Sequence, residues 1–149
     1  LERLNIRYEV LHVDMSLIAS AYAGAKAAGK DAKSSDMQDV ARELFRKATK
    51  CRASDIHIRV SKRQKTRIFF RIHNDLEFQE EQTFEFGDQL CTAIYQAMAD
   101  VADSTYETLS QQDARISDRT KIPDGLDGIR IATSPQVDGH IMVLRLLYN

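Results

Sequence analysis

Cysteine is scarce in this chain of 149 residues: Cys51 and Cys91 are the only two, 40 positions apart. Two such residues give neither a disulfide framework nor metal-ligand spacing, so reduced thiols are expected. Net charge is equally lacking. Twenty-one basic and 22 acidic side chains leave a formal charge of −1, which removes any global attraction to nucleic acid or an anionic membrane and makes any anion site a local one. No apolar run approaches the roughly 20 residues of a bilayer-crossing helix, and Leu1-Glu2-Arg3-Leu4 lacks the apolar core of a signal peptide. A cytoplasmic protein is expected. The initiator methionine is missing too, which suggests an excised piece. What remains is ordinary for a globular domain, with 43% apolar and 29% charged residues, enough to close one hydrophobic core.

The pattern along the chain falls into two parts. Over 4–13, Leu4, Ile6, Tyr8 and Val10 alternate with polar residues as in a half-buried strand. An alanine-rich, helix-compatible stretch follows, and the small polar residues of 29–35 predict a loop, so 1–35 is read as an extension and tether. A helix is predicted over 36–50. Met37, Val40, Ala41, Leu44 and Ala48 form its apolar stripe, and Ser35 with Gln38 offers a capping box. Alternation then predicts strands near 55–60 and 67–73 and a short third strand at Leu76 and Phe78, joined through a turn at Asn74-Asp75. A second amphipathic helix is predicted over 87–102, burying Leu90, Ile94, Ala97, Met98 and Val101. Three further strands are expected at 112–117, 128–133 and 140–147, separated by 123–125 and 135–139. Strands that mostly follow one another, with two helices inserted, imply an α+β layer fold.

Several residues invite a chemical reading. Gly24 to Lys30 has the glycine and lysine spacing of a phosphate-binding loop, but Asp31 stands where a Mg²⁺-binding hydroxyl belongs, and no strand precedes it. It reads as a helix end followed by a loop. Asp55 and His57 share one strand face and read as a surface or structural pair. Arg59, Lys62, Arg63, Lys65 and Arg67 form a basic hairpin with Glu77, Glu80, Glu81 and Glu85 close in sequence, a solvated face in preference to a nucleic-acid site. His12, His57, His73 and His140 are too scattered for a metal centre.

Five segments carry a resemblance. Ala53-Ser54-Asp55-Ile56-His57-Ile58 resembles the opening signature of the second N-terminal domain of type II secretion and type IV pilus assembly ATPases. In order after it, Phe70-Arg71-Ile72 with Asn74-Asp75-Leu76, Gln112-Asp113-Ala114-Arg115-Ile116, Ile129 to Pro135, and Gly139 with Val143-Leu144-Arg145-Leu146-Leu147 resemble the family's later motifs. Together they cover roughly residues 36 to 147. Three motifs depart from the family pattern: Asn74-Asp75 stands for Asp-Gly, Ala114 for a glycine, strained if that residue needs positive φ, and His140 for an acidic residue.

The resemblance implies an adaptor domain over 36–149, PAS-like, with a mixed, largely antiparallel sheet and helices packed on it. It implies that a RecA-like domain lying beyond Asn149 grips ATP and Mg²⁺, and that Arg115 and Arg130 reach the ATP phosphates. It further implies homo-hexamer rings, packing on a neighbouring subunit's ATPase domain, and attachment to inner-membrane platform, pilus or secretion proteins. On this reading the piece is not an enzyme alone, while its parent is an ATPase. The rival expectation is a stand-alone interaction or ligand-sensing module without a motor.

Overall fold

The computed structural model describes residues 34–102 and 104–149, without the side chains of residues 34 and 35. The strand expected over 4–13, the phosphate-loop look-alike and the tether up to residue 33 lie outside the described residues. The first described helix, α1, is Ser34–Lys50. It begins one residue before the expected cap, and its expected stripe is the buried face, with Met37, Ala41, Leu44 and Ala48 at most 1% exposed.

The way α1 ends places everything after it. Arg52 takes the left-handed conformation (φ 59°), Arg52 N–H donates to Thr49 O, and Ala53 N–H donates to Ala48 O. This is a Schellman stop, and Ala48 and Ala53, both fully buried, make its apolar contact. Arginine occupies the position that glycine usually takes. Its guanidinium lies 4.3 Å from the Tyr148 ring centroid, a cation–π contact that helps offset the cost of positive φ. The chain then enters β1, Asp55–Ser61, directly.

Strands β2, Lys65–Ile72, and β3, Asp75–Gln82, follow as a meander. Their connection is a two-residue turn with φ of 51° at His73 and 71° at Asn74, so the turn falls one residue earlier than expected. Paired Ile72 and Asp75 leave only His73 and Asn74 between the strands, and positive φ at both residues matches the right-handed twist of the hairpin. The second helix, α2, Phe84–Ala93, starts three residues before its expected boundary because the Thr83 hydroxyl accepts from Phe86 N–H and caps it. It runs into a π-helical turn at Ile94–Met98, where Ala99 N–H donates to Ile94 O. Val101 therefore does not continue the helix. It is 60% exposed and forms, with Ala102, the short strand β4.

The last strands are β5, Gln112–Ile116, β6, Leu126–Gln136, and β7, Gly139–Tyr148. Pro135 belongs to β6, opposite His140, and only Val137 and Asp138 form the turn. Among the described residues the sheet has seven strands in the order β3-β2-β1-β7-β6-β5-β4, and every pair is antiparallel. Strands β1 and β7, distant in sequence, meet at its centre.

One face of this α+β sheet carries the core. Ile56, Ile58, Ile68, Phe70, Ile129, Met142 and Leu144 are at most 1% exposed, on the side where α2 lies over β1 and β2 and α1 packs against α2. Each such side chain contributes about 1.5–3 kcal/mol on burial. The helices meet the sheet closely: an added Cβ at Gly87 of α2 would stand 1.9 Å from Thr66 Oγ1. The opposite face has no helix among the described residues, and the alternation of every strand decides what it displays.

Candidate anion-facing site

Antiparallel register turns separate motifs into one row. Arg115 and Arg130 are Cα partners on β5 and β6. Arg130 and Arg145 are partners on β6 and β7, Arg145 and Asp55 on β7 and β1, and Asp55 and Arg71 on β1 and β2. Because partnered residues point to the same side, four guanidinium side chains and one carboxylate cross five strands on the helix-free face. Neighbours in the row are about 5 Å apart.

Its members differ in how they are held. Asp55 is 4% exposed and has three partners: Ser54 hydroxyl donates to Oδ2 at 2.7 Å, Arg145 Nε–H donates to Oδ1 at 3.2 Å, and Arg71 Nε lies 3.8 Å from Oδ2. Arg71 is further fixed by a bond from Nη1 to Asn74 O. At the other end Arg115 and Arg130 are exposed. The Arg115 guanidinium lies over Gly128, where an added Cβ would come within 3.2 Å of Nε and Nη2. Gly128 is the saddle that lets Arg115 lie along the sheet. A recess of about 270 Å³ opens beside Arg130 and Arg145, floored by Ala132 and Val143 and bounded by Asp55 and Asp113.

The remaining expected residues are structural. Asp55 and His57 do share a face, but the partners of Asp55 are arginines. His57 Nδ1 is buried with no hydrogen-bond partner among the described residues. Burial, then the charge of Arg71, pushes the His57 pKa below its ordinary 6.5, with Asp55 opposing and Arg59 adding a smaller downward push. The basic hairpin is solvated: Lys65 faces Glu81 at 3.8 Å, Arg63 faces Asp138 at 3.5 Å, and Arg59 and Arg67 lie over the Phe69 ring. Both cysteines are buried and outside any disulfide. No group of three metal-ligating side chains occurs among the described residues.

The departures from the resembled motifs are absorbed locally. Ala114 does not have positive φ; it sits in β5 opposite Ile131 without strain. His140 is 3% exposed and bridges Asp88 Oδ1 at 3.1 Å and Tyr106 Oη at 3.2 Å through its two ring nitrogens. Gln112 is also a fastener. It is 5% exposed and donates to Ser104 Oγ and Thr105 O while accepting from Glu107 N–H, which shapes the loop leading into the Arg115 strand.

The chemistry of the row suits anion recognition. Guanidinium groups supply planar N–H donors matched to phosphate or carboxylate oxygens, and Arg115 and Arg130 present theirs to solvent. Reading single motifs missed Arg145 and Asp55 as members of the site, although both lie inside motif segments; only the strand register joins them to it.

Fold and site together define an α+β module: a sheet stiffened by helices on one side and displaying arginines on the other. A family model for Type II/IV secretion system proteins matches residues 30–149, and the chain belongs to that family. No curated protein matches the chain.

Proposed function

We propose that this chain is the N-terminal adaptor domain of a hexameric secretion or pilus-assembly ATPase, and that Arg115 and Arg130 close over the phosphates of ATP gripped by a RecA-like domain. The observation that carries the reading is the direct opposition of two exposed arginines on neighbouring strands of a helix-free face. Phosphoryl transfer spreads negative charge over phosphate oxygens, and an arginine delivered by a movable domain couples closure to that charge. Family membership supports the placement in secretion machinery.

The residues present fit phosphate and not Mg²⁺. The row offers cationic donors, and its two nearby carboxylates, Asp55 and Asp113, do not form part of any three-ligand cluster among the described residues. ATP with Mg²⁺, when bound by the ATPase domain, supplies the phosphoryl group. This chain supplies positive charge, holds it on a rigid sheet, and transmits rotation. On this reading it assembles as a ring, packs on its own and a neighbouring subunit's ATPase domain, and works on the cytoplasmic side of membrane-platform proteins.

Arg115→Ala and Arg130→Ala in the full-length ATPase are expected to lower turnover by tenfold or more, since arginines of this kind contribute ~10³–10⁵ elsewhere. Thermal unfolding of the domain should change little, because both side chains are exposed. Wild-type turnover in both variants overturns the phosphate role.

A further inference from the structure

The arginine row contains one member of opposite sign, and that member is buried. A carboxylate removed from water must be matched by donors, and Asp55 is matched by Ser54 and by the two arginines flanking it in the row. The way Arg145 is engaged matters. It gives Asp55 its Nε–H and, among the described residues, neither terminal nitrogen has a hydrogen-bond partner. Its side chain is 67% exposed and lines the same recess as Arg130.

An arginine in that situation needs an anchor. Its long side chain loses much rotamer freedom when held in place, and it stands one strand from Arg130, whose like charge repels it. Nothing on its own strand fixes its direction. Asp55 does: holding Nε orients the plane of the guanidinium and leaves the terminal N–H pair available beside Arg130.

We propose that Asp55 is a positioning residue that presents Arg145 as a third guanidinium to the phosphate reached by Arg115 and Arg130. The proposal rests on the functional reading above. Asp55 touches no phosphate itself; it acts through Arg145, and its negative charge keeps the inner end of the row compact while the outer end stays cationic.

The test is a double-mutant cycle in the full-length ATPase with Asp55→Asn, Arg145→Ala and the pair, measuring kcat and KM for ATP. Asp55→Asn is expected to lower kcat about tenfold and, in the Arg145→Ala background, to have no further effect. Equal losses in both backgrounds, or no loss from Asp55→Asn, overturn the proposal. The two readings fail separately. If Arg115→Ala and Arg130→Ala leave turnover unchanged, the phosphate role itself is wrong; if they lower it while Asp55→Asn does not, only the positioning role is wrong. An NMR measurement on the 149-residue chain stands apart from activity and from folding of the variant: the Arg145 Nε–H resonance should exchange with solvent more slowly than that of Arg115. Equal exchange rates would mean that Asp55 does not hold Arg145 in solution.

Discussion

At the scale of single residues, the helix-free face concentrates charge whose effects are separable. His57 sits two positions along β1 from Asp55, half-buried, with its pKa pushed below 6.5 chiefly by burial and then by Arg71. The folded protein therefore holds His57 neutral where the unfolded chain would protonate it. Its stabilising contribution is complete above the unfolded value of 6.5 and is lost as pH falls through the lowered folded value. Thermal melts of the wild type should drop as pH falls below the unfolded value of 6.5, and His57→Gln should drop less. Identical pH slopes would rule out this coupling. The alternation of β1 is enough to put Asp55 and His57 on one face, while the arginine partners of Asp55 come from β2 and β7.

Elements are fixed by contacts that local composition only partly announces. Helix α2 begins at Phe84 because Thr83 caps it, a signal present in the sequence that apolar periodicity alone places three residues late. Its contact with the sheet depends on Gly87. Alanine there gains roughly 1 kcal/mol of helix propensity, yet its Cβ would stand 1.9 Å from Thr66 Oγ1 and 2.8 Å from Thr66 Cβ. Overpacking of this kind costs about 1–3 kcal/mol, so the clash wins. Gly87→Ala should lower the urea midpoint, and Thr66→Ala in the same chain should recover part of the loss, since Thr66 Oγ1 has no hydrogen-bond partner among the described residues. A raised midpoint for Gly87→Ala would show that the helix can shift away from β2 at little cost. The His73-Asn74 turn follows the same logic: the residue types announce a turn, and the pairing of Ile72 with Asp75 decides its position.

At the scale of the molecule, among the described residues one antiparallel sheet with α1 and α2 on one side separates a buried core from a chemical face. Cys51 and Cys91 both belong to the core, and burial, reinforced by Asp88, pushes the Cys91 thiol well above its ordinary pKa. Such thiols are inert. The native protein should give almost no reaction with an aromatic disulfide reagent, both thiols should react in denaturant, and reductant should leave the melting temperature unchanged. Rapid labelling of the native chain would contradict this burial.

Sequence alone foretells most of the strands and both long helices between α1 and β7, Val101 and Ala102 excepted, and which side of each is apolar. These are consequences of local periods of 2 and 3.6 residues and of short motifs, which need no knowledge of neighbours. Tertiary structure alone decided that β1 lies against β7, and hence that Asp55 meets Arg145 across 90 positions of chain. Strand order and register are selected by the burial of the assembled apolar faces and by hydrogen bonding along whole strands. No single segment contains that information.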